Sequence, residues 1–287
     1  MTRTPAPAGV WIITPGHAPT RFATARTCGA DVALVDLEDS VPTADKTDAR
    51  QAAHDFFTAP APQGCTLGIR ISSPTTREGI RDLVALADYP VKPQVILIPR
   101  VESPRDIEIV AGAIGSHDYT PHLYALIETP CALEDLPSIA RAKRLAGVLF
   151  GTADYAAAIG CGRGWEPMLH ARSRLINSAA AAGIPAIDSP FFDLDDNDAL
   201  RREAERAKNL GFAGKSCVHP RQLPTLTEVF RPTEQEIATA RTIVAAAEKA
   251  GGRIVRVGHH MVGPPMVRAA KNLLSRTTAD TSQEVNA

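Results

Sequence analysis

Short runs of β-branched and aliphatic residues recur along the chain, and nearly every one is followed by a segment of helical character. The runs are VWIIT (10–14), VALVD (32–36), TLGIRI (66–71), QVILIP (94–99), HLYALIE (122–128), AGVLFG (146–151), IPAID (184–188) and GKSCV (214–218). Continuous apolar runs of this kind suit strands buried on both faces, as in a parallel sheet. Helices are predicted over 18–27, 44–57, 75–86, 104–114, 133–144, 166–182 and 196–210, so each separation can hold the crossover that parallel neighbours require. Eight strands alternating with helices predict a closed α/β architecture, a (β/α)8 TIM barrel, over residues 1–232. Beyond it, Pro232 opens the helical stretch TEQEIATARTIVAAAEKA, which Gly251 and Gly252 close. The following RIVRVGHHMVGPPMVRAAKNLL reads as an ordered segment and the last ten or so residues as a frayed polar tail. Residues 233–287 are thus expected to form a C-terminal helical extension.

Composition narrows the function classes. At 287 residues, 44% of them hydrophobic, the chain can bury one large core. A formal charge of −1, with acids and bases mixed along the length, gives no basic field for nucleic acid or an anionic membrane. Cys28, Cys65, Cys131, Cys161 and Cys217 are scattered, odd in number and without CxxC spacing, which argues against a disulfide framework and a zinc site and fits a reducing cytoplasm. The start carries only a short apolar run after its first basic residue, and nothing later approaches the roughly 20 apolar residues of a membrane span. A soluble, cytoplasmic protein is expected.

In barrels of this kind catalytic groups project from the carboxyl ends of the strands. Here the second strand ends in Asp36-Leu37-Glu38-Asp39, the third in Arg70, the fourth in Arg100 with Glu102 beyond, and the fifth in Glu128. The sixth is followed by Asp154, the seventh ends in Asp188 and the eighth in His219. Each has a structural reading too. Asp154 before YAAAI, and Glu38 and Asp39, suit helix entry, His219 precedes Pro220 at a helix start, and Arg70 suits a counter-ion. Taken together, several carboxylates converging on one mouth repel one another and call for a cation. Glu128 and Asp154 can hold Mg²⁺ while water and substrate oxygens complete its octahedron. Such an ion polarises a carbonyl or carboxylate and stabilises an enolate during carbon–carbon cleavage, with Arg70 binding a substrate carboxylate or adding to that stabilisation.

Other motifs carry less. Gly160-Cys-Gly-Arg-Gly164 lacks the spacing of a P-loop or dinucleotide fingerprint and reads as a flexible loop. Adjacent His259 and His260 on a strand face opposite ways and do not chelate together. No serine lies in a GxSxG elbow, and no lysine falls at an interior strand end where a Schiff base would form.

Blocks spanning nearly the whole chain resemble the citrate lyase β-subunit-like branch of the HpcH/HpaI aldolase superfamily, which includes malyl-CoA and citramalyl-CoA lyases. They run from ITPGHAPTRF through VDLEDSVPTADKTDAR, GIRISSP, ILIPRVES, ALIETP, LFGTADYAAAIG, AIDSPFFDLDD, GFAGKSCVHPRQL and VFRPTEQEI to HHMVGPPMV. The resemblance implies that Glu128 and Asp154 are Mg²⁺ ligands and that Arg70 contacts the substrate carboxylate and the developing enolate. It also implies that Asp36, Glu38 and Asp39 order metal-bound water and the arginine. It implies a homo-oligomer, a trimer or larger such as a hexamer, in which the extension of one subunit closes over a neighbour's site. Two blocks depart from the family pattern. Where relatives carry an aspartate in a GxMVDxP-like block, this chain has Gly263, which has no side chain to transfer a proton. Where relatives read PGNRPDRF, it has His17-Ala18-Pro19-Thr20-Arg21, leaving Arg21 alone to meet a CoA phosphate.

The expectation is a Mg²⁺-dependent carbon–carbon lyase working through a metal-stabilised enolate on a hydroxy-dicarboxylic acyl-CoA such as malyl-, citramalyl- or citryl-CoA. Arg70, Arg21, Asp188 and His219 are the expected substrate-binding residues. One alternative is a CoA-independent aldolase acting on a hydroxy-keto acid, with His219 or a water moving the proton. The other is a non-catalytic binding or scaffold homologue.

Overall fold

Eight apolar runs become eight parallel strands: β1 (Gly9–Pro15), β2 (Val32–Asp36), β3 (Thr66–Arg70), β4 (Val95–Ile98), β5 (His122–Ile127), β6 (Leu145–Phe150), β7 (Ala186–Asp188) and β8 (Gly214–Cys217). The structure, a computed structural model, describes residues 7–59, 62–116 and 118–284, with side chains through residue 275. The strands pair in sequence order and β1 closes on β8, with Gly9 opposite Gly214 and Ile12 opposite Cys217. At that seam a Cβ on Gly214 would lie 1.9 Å from the Gly9 carbonyl oxygen, so only glycine lets the backbones meet. The expected barrel is therefore present.

Two apolar cores follow from the two faces of the strands. Trp11, Val32, Leu34, Leu97, Tyr124 and Leu126 belong to a cluster made of strand residues alone, which fills the barrel interior. Trp11 and Tyr124 meet edge to face there, ring centres 4.7 Å apart. The alternate residues, such as Val35, Ile69, Ile98 and Val148, join the larger cluster that packs the barrel wall against the helices.

The helices match the sequence reading closely, with one split. Leu133–Arg144 was expected as one helix and is instead two short ones, Pro130–Glu134 and Leu136–Ala140. Pro137 has no amide hydrogen to continue the first helix and sits in the first turn of the second, the place where that loss costs nothing. Pro104–Ile114 has the expected bounds and starts with a capping box between Ser103 and Asp106.

The chain divides into two compact units, Met1–Phe230 and Arg231–Ala287. In the second, helix Glu234–Lys249 opens with a Thr233–Glu236 capping box and is followed by the antiparallel strands β9 (Val255–Val257) and β10 (His260–Val262). His259 lies in the turn between the two, and the last helix, Pro264–Glu284, packs against Glu234–Lys249. The frayed tail expected over the last ten or so residues falls partly on this helix, and residues 285–287 lie outside the described residues. Among the described residues no helix is long and apolar enough to cross a membrane.

Candidate active site

The period of two along a strand decides which polar residues reach the barrel mouth. Val32 and Leu34 face the interior, so Asp36 continues their face at the carboxyl end of β2. On β3, a Cβ at Gly68 would lie 2.4 Å from interior Leu34, which puts Arg70 on the same side two residues on. Tyr124 and Leu126 set the same face on β5, and Glu128 follows them.

Asp36 and Arg70 are register partners whose side chains form a two-point ion pair, Nε and Nη2 donating to Oδ1 and Oδ2 at 2.6 Å each. Asp36 also accepts the amides of Glu38 (2.9 Å) and Ser40 (3.3 Å) and the Ser40 hydroxyl. Burial pushes the Asp36 carboxyl up, but the charge and hydrogen bonds of Arg70 outweigh it and hold the group below the usual range. The third guanidinium nitrogen, Arg70 Nη1, lies 2.8 Å from Glu38 Oε2. Lys46 fixes the same loop from below, its Nζ donating to the carbonyls of Leu37 (2.6 Å) and Glu38 (2.8 Å).

Glu128 is 2% exposed, and its Oε1 accepts the amide of Arg100 at 2.7 Å. Burial, with Glu38 and Asp154 adding negative charge, pushes its carboxyl up to about 8. Glu38 is pushed up to about 7, by burial first and then by Asp39 and Asp36, against the pull of Arg70 and Arg100. Across from Glu128, a Cβ on Gly151 would lie 2.6 Å from the Glu128 Cβ and 2.8 Å from Oε2, so the residue that follows the sixth strand must lack a side chain.

Asp154 is the third residue of helix Thr152–Ile159, whose N-cap is Gly151. The cap reading of Asp154 is therefore replaced by a first-turn position, where a carboxylate gains from the helix dipole while staying open to the mouth. Its nearest cation is Arg100, Nη2 to Oδ1 3.5 Å, and the same guanidinium reaches Glu38 Oε1 at 4.0 Å. Arg100 holds φ at +50°, a left-handed conformation uncommon for a residue with a side chain. Asp36, Glu38, Glu128 and Asp154 against Arg70 and Arg100 leave a formal charge of minus two. Among the described residues, no group of three or more His, Cys, Asp or Glu is placed to hold a metal. An ion here would take two carboxylates, Glu128 and Asp154, with the rest of its shell from water and substrate.

The other expected site residues fare differently. Asp39 is exposed on the same loop and acts on Glu38 through its charge. Arg21 is exposed at the end of the short turn Pro19–Arg21. His219 caps the turn Pro220–Gln222, its Nδ1 accepting the Arg221 amide at 3.1 Å, which fits its helix-start reading and leaves the ring proton on Nε2. Asp188 is a correction: Ile187 faces the interior, so Asp188 faces the helix layer instead. There it is fully buried, bonded by Arg172 Nε (2.9 Å) and Lys215 Nζ (2.6 Å), and Lys215 also meets Glu203 at 2.8 Å. Both of its oxygens are engaged, so it anchors the wall and has nothing left for a substrate. Lys215 is equally remote from Schiff-base chemistry, on the outer face and ion-paired. The Gly160–Gly164 loop is accounted for by helix ends, Gly160 being a left-handed C-cap and Gly164 an N-cap. Sequence patterning did not assign Arg100, Lys46 or Gly151 to the site; Arg100 ended a strand, but its backbone conformation leaves no mark in the pattern.

A carboxylate cluster with an arginine at the carboxyl end of a barrel is matched by family-level similarity. The HpcH/HpaI aldolase/citrate lyase family model matches residues 8–220. The chain belongs to this family. Citrate lyase subunit beta of Leuconostoc mesenteroides subsp. cremoris is 30% identical over 279 residues, covering 93% of this chain and 92% of its own. L-malyl-CoA/beta-methylmalyl-CoA lyase of Rhodobacter capsulatus is 30% identical, covering 87% of this chain and 88% of its own. Among solved structures, CitE from Mycobacterium tuberculosis in complex with magnesium, acetoacetate and coenzyme A superposes with a TM-score of 0.79 at 30% identity, over 94% of this chain and 98% of that one. The HpcH/HpaI chain described here is accordingly an enzyme of the carbon–carbon lyase class, built on the barrel its strands predict.

Proposed function

We propose that this HpcH/HpaI enzyme is a Mg²⁺-dependent lyase that splits a hydroxy-dicarboxylic acyl-CoA, of the malyl-, citramalyl- or citryl-CoA type, beside its thioester carbonyl. The observation that carries the reading is the unbalanced mouth cluster: four carboxylates face two guanidiniums, and Glu128 is pushed up to about 8 by burial first, with Glu38 and Asp154 adding negative charge. The residues fit a hard divalent ion, because the donors are all oxygen and the formal charge is minus two. Glu128 and Asp154 would hold it, and when bound it supplies positive charge against a carbonyl or carboxylate oxygen of the substrate.

The chain's own residues do the rest. Asp36 and Glu38 fix the plane of the Arg70 guanidinium, so its remaining N–H groups meet a substrate oxygen without reorganisation as negative charge develops there. Lys46 holds the Leu37–Glu38 backbone that carries this pair. Arg21 is the group offered to a CoA phosphate, and the His219 ring, protonated at Nε2, is offered as a donor at the eighth strand's end. In this reading residues 233–287 close over the site of a neighbouring copy in a homo-oligomer, a trimer or hexamer, as the family resemblance implies.

One observation favours a second reading, a CoA-independent aldolase acting on a hydroxy-keto acid. Gly263 presents no side chain, and a Cβ built there would touch only Ile254 and Pro265, at 3.8 Å each. Profiling malyl-, citramalyl- and citryl-CoA against free hydroxy-keto acids, with Mg²⁺ and with EDTA, separates them. Metal-dependent cleavage of a thioester is expected; cleavage of free keto acids alone overturns the thioester reading. Mg²⁺ binding that Glu128→Gln and Asp154→Asn leave unchanged overturns the site.

A further inference from the structure

The two arginines at the barrel mouth are held in opposite ways. Arg70 commits all three guanidinium nitrogens to Asp36 and Glu38 at 2.6 to 2.8 Å, and its side chain is 15% exposed. Arg100 is 52% exposed, and its contacts to Asp154 and Glu38 are long, at 3.5 and 4.0 Å. Exposed pairs at such distances hold weakly. The backbone beneath Arg100 is nonetheless constrained: φ is +50°, and its amide is spent on Glu128 Oε1 at 2.7 Å. Glycine or asparagine would adopt this conformation at less cost, so a long cation here is maintained against a backbone penalty.

Resting on the metal site proposed above, Asp154 would be neutralised by a divalent ion that it holds with Glu128, and the neighbouring guanidinium would be repelled. The loosely tied Arg100 then turns to the next anion at the mouth. Arg70 cannot make that move, because Asp36 and Glu38 keep their hold on it.

We propose that Arg100 is a second substrate-binding residue, held by Asp154 and Glu38 in the metal-free site and released by the ion to bind an additional carboxylate of the substrate. Among the thioesters named above, it selects one that carries a free carboxylate besides that of its hydroxy-acid end. A planar guanidinium binds such a group with two parallel hydrogen bonds.

The test uses the full chain loaded with Mn²⁺ and two stable probes, racemic malate and racemic lactate, which share a hydroxy-acid end and differ by one carboxylate. Affinities are read from relaxation of the ligand protons by the bound ion. The wild type is expected to bind malate about tenfold more tightly than lactate. Arg100→Gln should abolish that preference by weakening malate alone, Arg100→Lys should keep part of it, and Mn²⁺ should bind free Arg100→Gln several-fold more tightly. A malate preference that persists in Arg100→Gln overturns the proposal. So does an equal loss of both probes, which marks a merely structural role, or an unchanged Mn²⁺ affinity. If Mn²⁺ binding to the wild type is insensitive to Glu128→Gln, the underlying metal-site reading fails, a result distinct from these.

Discussion

Two ionic clusters sit on opposite faces of the same barrel wall, and they are built on opposite principles. On the outer face, Asp188 and Glu203 meet Arg172 and Lys215; Asp188 and Lys215 are fully buried, and the charges balance. Arg172 is also stacked between Trp165 and Phe150, its guanidinium carbon 4.6 and 5.7 Å from their ring centres. Burial would push Asp188 up, but Lys215 and Arg172 outweigh it and hold the carboxyl low. At the mouth, Glu38 and Glu128 are pushed up to about 7 and 8, by burial first and then by neighbouring carboxylates that outnumber the cations there. A buried network that closes its own charge holds the fold together, whereas one left with a deficit is poised to take a cation.

The largest effect should come from breaking the balanced cluster. Lys215→Met removes the cation shared by buried Asp188 and partly buried Glu203 and is expected to lower stability by about 3–5 kcal/mol in urea unfolding, with the Mn²⁺ affinity of the folded protein unchanged. The unbalanced cluster should answer with the opposite sign. Glu128→Gln is expected to cost about 100-fold or more in turnover, while metal-free protein at pH 8 becomes more stable in the same unfolding assay. A loss of stability there would show that Glu128 is satisfied in the free site.

A smaller effect lies in the pH dependence. Glu128 and Glu38 sit above the unfolded carboxyl value of about 4.3, so the folded protein binds more protons than the unfolded chain between that value and about 8. In EDTA, stability should fall as pH rises through this window. Asp36 and Asp188, held low, give the opposite slope only in more acidic solution, below their unfolded values. Saturating Mg²⁺ should flatten the neutral slope, and a slope that persists would separate the titrating groups from the metal ligands. The smallest change is Asp39→Asn, which removes one exposed charge acting on Glu38 and should shift stability by a few tenths of a kcal/mol.

The same two clusters show how far the sequence could be read. The strands were legible because parallel barrel strands are apolar on both faces, and Asp36, Arg70 and Glu128 were legible because each continues an interior face. Asp188 was misplaced by a single residue of phase: in a three-residue strand, one position decides between the mouth and the helix layer. Its partners Arg172 and Glu203 come from separate helices, so nothing local marked the network. Arg100 looked like any charge at a strand end, since neither a positive φ nor a half-made ion pair is encoded in periodicity. The split at Pro137 was visible in the residue itself but outweighed by the apolar spacing around it.

The seam between Gly9 and Gly214 also bears on how the chain comes off the ribosome. The first strand of the barrel is the partner of its eighth, so β1 keeps one unpaired edge through the synthesis of nearly all the remaining barrel. Closure waits on the emergence of residues 214–217. A nascent chain stopped before them would present an open sheet with two bare edges, a species suited to chaperone capture or aggregation rather than to folding.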